Sequence, residues 1–127
     1  MNKIKPKVSI YGTRPEMAIV HGVVCSVFDK YNQDCIVTSG VGKKHSKRSL
    51  HYPGFAYDYR TKHINDRSVK MSILKDMREA LPCCDIIFEH EGEPQEHYHV
   101  EFDDKFDEQY QSDKLFYKTH GKWPHRP

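Results

Sequence analysis

The residues best suited to chemistry fall in two short segments. The first is Ser49-Leu50-His51-Tyr52-Pro53-Gly54-Phe55-Ala56-Tyr57-Asp58. It places an imidazole and a carboxylate on either side of a Pro-Gly pair. Proline presets φ and glycine accepts a positive φ, so Pro53-Gly54 predicts a turn. That turn folds His51 back toward the strand bearing Asp58. Side chains on a strand alternate, so small Ala56 shares a face with Asp58 and is expected to keep that face open. The second segment is Glu96-His97-Tyr98-His99-Val100-Glu101. Alternation puts His97 and His99 on one face of a strand and turns Tyr98 and Val100 toward the core. Glu96 stands where a loop runs into that strand, so alternation does not fix its direction.

Two histidines and one carboxylate are a common catalytic zinc set, with the fourth position left for water. Zinc brings the pKa of such a water to about 7. A nearby carboxylate must then accept a proton, and Glu96 is the candidate. A donor must stabilise the oxyanion, and His97 is the candidate. Taken singly, each piece has a plainer reading. A strand histidine is more often structural or solvated than a ligand, and Asp58 has Arg60 and several lysines as alternative partners. Glu101 reads either as an exposed charge or as a group supporting a ligand from behind.

The joint pattern is more specific. Ser49-x-His51-x-x-Gly54-x-Ala56-x-Asp58 followed by Glu96-His97-x-His99 resembles the signature of the D-alanyl-D-alanine carboxypeptidase and L-alanyl-D-glutamate endopeptidase family. These zinc peptidases share their fold with the hedgehog signalling domain. Ile36-Val37-Thr38-Ser39-Gly40, Gly42-Lys43-Lys44-His45-Ser46 and Asp85-Ile86-Ile87-Phe88-Glu89 resemble neighbouring segments of small phage-type members, so the likeness spans about residues 15–103. The resemblance implies that His51, Asp58 and His99 hold Zn2+, that Glu96 is the catalytic base and that His97 assists. Ser49 and Gly54 match motif positions read as a hydrogen bond and a turn. Many relatives carry an arginine shortly after the Thr-Ser-Gly strand, where this chain has Val41-Gly42. Lys44 and Arg48, with Ser49, are the candidates for binding an acidic substrate in its place. Arginine and lysine are not equivalent at bidentate sites, and an ordinary solvated basic turn is the competing reading of this loop.

The elements that must carry these residues are legible in outline. Met17, Val20, Val24, Val27 and Phe28 recur at helical spacing, so residues 15–30 read as an amphipathic helix opened by Pro15. Cys35-Ile36-Val37-Thr38 reads as a strand, residues 40–48 as a polar loop and residues 55–61 as an alternating strand. Asn65 or Asp66 caps a second helix with the stripe Val69, Ile73, Leu74, Met77 and Leu81, ended by Pro82. Strands follow at residues 85–88 and 97–102. The expected fold class is α+β: a small, mostly antiparallel sheet with two main helices, hedgehog- or DD-peptidase-like. Residues 1–103 form the peptidase domain, and residues 104–127 a C-terminal extension that packs only in part.

Composition narrows the partners. The chain of 127 residues has a net charge of only +2, so no global charge draws it to nucleic acid. The run Lys43, Lys44, Lys47, Arg48 has no stacking motif beside it, which sets a nucleic-acid binder aside. No window approaches the roughly 20 apolar residues of a membrane span, and the start MNKIKPKVSIYG lacks the apolar core of a signal peptide. The expectation is a monomer made in a host cytoplasm, reaching its peptidoglycan stem peptide after membrane permeabilisation, as an endolysin would. The alternative is a catalytically silent, zinc-containing wall-binding or virion module. Cys25, Cys35, Cys83 and Cys84 form no CxxC pair, so they read as reduced, mostly buried thiols and not as a cysteine zinc knot. His21, His63, His90, His120 and His125 read as structural or solvated. His45 lies close enough in sequence to the basic loop to line the site.

Overall fold

The structure, a computed structural model, describes residues 2–4, 15–40, 56–103, 108–122 and 124. Its first helix, α1 (Pro15–Lys30), lies where the apolar spacing places it. Met17, Val20, Val24, Val27 and Phe28 are all buried, as one stripe at 3.6-residue spacing requires. The helix closes at Asn32, which takes the left-handed conformation (φ 57°) while Gln33 N–H donates to the Phe28 carbonyl. The chain then enters a strand, β2 (Cys35–Ser39), which pairs in parallel with the short lead-in strand β1 (Asn2–Ile4).

Strand β3 (Ala56–Arg60) runs antiparallel to β2, with an irregularity between Val37 and Ser39. Helix α2 (Arg67–Ala80) follows, then strands β4 (Cys84–Glu89) and β5 (His97–Phe102). The sheet order is β1-β2-β3-β5-β4, so β5 is laid between β3 and β4 and pairs antiparallel with both. This is the expected α+β class with a mostly antiparallel sheet.

Both α1 and α2 cover one face of the sheet. The core there joins Phe28, Ile73 and Met77 to Tyr59, Tyr98 and Val100, each with no exposed surface. Burial strips Tyr98 of water, and its hydroxyl donates to the Lys70 carbonyl at 2.7 Å, which satisfies it. Asp66 is the cap of α2: its carboxylate accepts from Ser68 N–H and Ser68 Oγ, each at 2.8 Å. Asp66→Ala is expected to lower stability, read as a fall in the denaturant midpoint at unchanged m-value.

The C-terminal segment holds an element that the sequence reading did not foresee. It forms a third helix, α3 (Glu108–His120), whose buried positions are Tyr110, Asp113 and Tyr117. The spacing is helical, but an aspartate in the middle of the stripe hides it from an apolar-pattern reading. Tyr110 and Tyr117 pack on Ala56, with Phe102 beside them. The Tyr110 hydroxyl donates to the Phe102 carbonyl at 2.6 Å, and Lys114 Nζ pairs with Asp103 at 2.8 Å. Ala56 therefore has no exposed surface. Its small side chain makes room for these tyrosines and does not hold the face open, which corrects the expectation from alternation alone.

Candidate active site

The face of the sheet opposite α1 and α2 carries the polar residues. Pairing of β3 with β5 sets Asp58 directly across from His99 and Arg60 across from His97. Residues paired across neighbouring strands point to the same side, so one face gathers Asp58, His97, His99 and Glu101. The two sequence segments that suggested chemistry thus meet through their strands, although many residues separate them along the chain.

His99 Nδ1 lies 2.8 Å from Asp58 Oδ1, and its Nε2 lies 3.2 Å from Glu101 Oε1. With a carboxylate at each nitrogen, both nitrogens act as donors and the ring is an imidazolium. Burial opposes that charge, but the hydrogen bonds to Asp58 and Glu101 outweigh it and push His99 up to about 10. Glu101 is no idle surface charge: it holds the ring of the expected ligand.

His97 is fixed differently. Its Nδ1 donates to the Gln95 carbonyl at 2.6 Å, which leaves Nε2 facing Glu89 Oε1 at 3.4 Å and Asp58 Oδ1 at 3.8 Å.

Glu96 takes a course that the sequence left open. It continues the alternation of Tyr98 and Val100, so its carboxylate sits on the helix side of the sheet. Oε1 accepts from Thr61 Oγ1 at 2.5 Å and from Lys70 Nζ at 2.7 Å, and Oε2 accepts from Gly92 N–H at 2.8 Å. The side chain is only 4% exposed. Desolvation works against its charge, yet these donors prevail and hold the carboxyl below its usual range. As placed, Glu96 clamps the 90–95 loop to α2. Acting as a base at Asp58 and His99 requires that clamp to open.

Beside this face lies a cleft of about 740 Å³, lined among others by Thr38, Asp58, Arg60, Lys62, Glu96 and His97. Lys3 and Ile4 of β1 close its far side. Sequence offered Arg60 only as a partner for Asp58, and Lys3 and Lys62 were not singled out, since nothing local marks a strand-end cation as lining a cleft. His51, Lys44, Arg48 and Ser49, the other expected site residues, lie outside the described residues, as do Gly54 and His45.

A second group of ligand-type side chains lies on the helix side. His21, Cys25 and Cys35 bring their donor atoms within 4.8 Å of one another, a possible metal-binding site and, among the described residues, the only such group of three. All four cysteines are free; Cys35 and Cys84 are buried and Cys25 and Cys83 half-buried. The hydrogen-bonding contact with Cys35 lowers the Cys25 thiol to about 5 against the cost of burial, and the same contact pushes Cys35 up. The sequence signal for this group was available: His21-Gly22-Val23-Val24-Cys25 has the i, i+4 spacing that stacks two side chains on one helix face.

Among the described residues no helix is long and apolar enough to cross a membrane. No protein-family model, no curated protein and no solved structure matches this chain.

Proposed function

We propose that the chain is a zinc-dependent peptidase that hydrolyses a peptide bond in the stem peptides of bacterial peptidoglycan, in the manner of an endolysin. The observation that carries the reading is the cross-strand pair of Asp58 and His99, 2.8 Å apart beside a cleft. One carboxylate oxygen and one imidazole nitrogen that close together are a donor set suited to zinc. In this proposal His51 supplies the third ligand, as the sequence resemblance implies.

When bound there, zinc supplies Lewis acidity toward a carbonyl and lowers the pKa of a water. The chain's own residues do the rest. Glu101 holds the His99 ring from behind, in the way carboxylates orient metal-binding imidazoles. His97, oriented by its Nδ1 donation to Gln95, turns Nε2 to the Asp58 side, where an N–H would donate to the oxyanion. Arg60, Lys62 and Lys3 set positive charge along the cleft, which suits the carboxylates of a stem peptide. They stand in for the arginine that this chain lacks after its Thr-Ser-Gly strand, together with Lys44 and Arg48 of the basic loop. Glu96, the base implied by the resemblance, joins the reaction in this scheme only on release from Lys70 and Thr61.

That last contact also favours a second reading. A carboxylate fully engaged in holding a loop is what a silent zinc-containing binding module would keep. One experiment separates the two: digestion of purified peptidoglycan, with mass spectrometry of the released fragments, using protein with zinc, protein with chelator, Asp58→Ala and Glu96→Gln. The expected result is zinc-dependent release of stem peptides, with Asp58→Ala slower by about 10³-fold or more, since losing a ligand removes several kcal/mol of transition-state stabilisation. Fragment masses then name the bond. Protein that holds stoichiometric zinc yet releases nothing from several wall types is the binding module.

A further inference from the structure

The His21, Cys25 and Cys35 group lies on the opposite side of the sheet from Asp58 and His99, and the proposed peptidase chemistry does not use it. His21 Nε2 is 3.5 Å from Cys25 Sγ, and Cys25 Sγ is 2.9 Å from Cys35 Sγ. Zinc bonds of about 2.3 Å to sulfur and about 2.0 Å to nitrogen put neighbouring ligand atoms about 3.5–3.8 Å apart in a tetrahedron. The nitrogen–sulfur spacing already fits, and the sulfurs need to open by less than 1 Å. Cys25 is half-buried on a helix, whereas Cys35 is wholly buried in β2, so the opening falls to Cys25.

What singles this group out from two neighbouring thiols is the histidine. The His21 ring stacks on Tyr59, with centroids 5.7 Å apart and planes 14° apart, and meets Tyr57 edge-on. Its Nδ1 lies 2.8 Å from the hydroxyl of Tyr59, which has no exposed surface. A metal-bound histidine almost always engages its second nitrogen in this way, which fixes the ring and directs the other nitrogen to the ion. Here that other nitrogen is the nearer of the two to Cys25 Sγ, 3.5 Å against 3.9 Å for Nδ1. A simple thiol pair or a disulfide would need no histidine so held. His21 and Cys25 are the half-buried members of the group and Cys35 the buried one.

We propose that His21, Cys25 and Cys35 form a thiolate–imidazole metal site for a zinc-type divalent ion, joining α1 to β2, with Tyr59 as the residue that positions His21. Two thiolates and an imidazole prefer such an ion to magnesium or calcium, which take oxygen ligands.

The test is a Co2+ titration of the reduced full-length chain followed by absorption. Sulfur ligation gives a near-ultraviolet sulfur-to-cobalt charge-transfer band that an Asp/His site cannot give. The band is expected in the wild type, Asp58→Ala and Cys83→Ser, and is expected to vanish in Cys25→Ser and Cys35→Ser. Tyr59→Phe should weaken cobalt binding by about 10-fold, and Zn2+ should displace cobalt and abolish the band. Reduced wild-type protein that gives no band overturns the proposal whatever the variants do, as does a band that persists in both Cys25→Ser and Cys35→Ser. Protein isolated with a Cys25–Cys35 disulfide that takes up no cobalt once reduced overturns it in favour of a redox pair. Because Asp58→Ala keeps this site, the peptidase reading and the present one stand or fall separately.

Discussion

Glu96→Ala is expected to lose about 3–5 kcal/mol of stability, a large part of what a domain of this size has. The substitution leaves Lys70, 15% exposed, without its carboxylate and takes an acceptor from Thr61 and Gly92. Breaking one side of a buried pair strands a desolvated charge, which costs far more than the intact pair contributes. Lys70→Met combined with Glu96→Gln should recover a good part of the loss. The pH dependence has a definite sign. The folded-state pKa of Glu96 is depressed, so its contribution is fully present above about pH 4.5 and is lost as pH falls through the lower, folded value. Urea melts from pH 7 to pH 3 should show an acid-sensitive stability in the wild type that is shallower in Glu96→Gln. An equal acid limb in the two proteins would remove Glu96 from the structural role. Glu96→Gln that melts like the wild type at pH 7 yet releases no stem peptide would instead make it the base.

Zinc affinity at the Asp58–His99 site is expected to rise steeply with pH, by about tenfold per unit between pH 6 and 9 from His99 alone. The reason is the proton that His99 carries between Asp58 and Glu101, held to about pH 10 without metal. A metal takes the neutral ring, so that proton must leave. In the metal-free protein the sign is the reverse of the Glu96 case. The His99 charge stabilises the fold below its usual value of 6.5, and the contribution is lost as pH rises through about 10. Competition against a chromophoric chelator measures the affinity, in a Cys25→Ser background so that the thiolate group does not contribute. Glu101→Gln should flatten the slope, because it removes one of the two carboxylates that hold the proton. A pH-independent affinity would mean that His99 is not the group displaced.

Much of the fold could be read without coordinates. The stripes Met17 to Phe28 and Val69 to Leu81 announce α1 and α2, because a helix with one buried face must repeat near 3.6 residues. Alternation of His97, Tyr98, His99 and Val100 gave β5 and its two faces. The same reasoning missed α3, where a buried Asp113 breaks the apolar stripe and tyrosines carry the packing. It also misjudged Ala56, since alternation says which way a side chain points and nothing about what arrives to cover it.

The sequence by itself determined the inventory of this protein: two helices, a short-stranded sheet, and Asp58, His97 and His99 as side chains that share a strand face with others of their kind. Local periodicity suffices for that, because secondary structure is decided within a few residues. Tertiary structure alone decided which of them meet. The β3–β5 register set Asp58 against His99, where a slip of one residue would have sent either to the other face. Packing of α2 drew Glu96 to Lys70, and packing of α1 on β2 brought His21 and Cys25 to Cys35. These are long-range contacts, set by how hydrophobic faces bury one another and not by any neighbour in the chain.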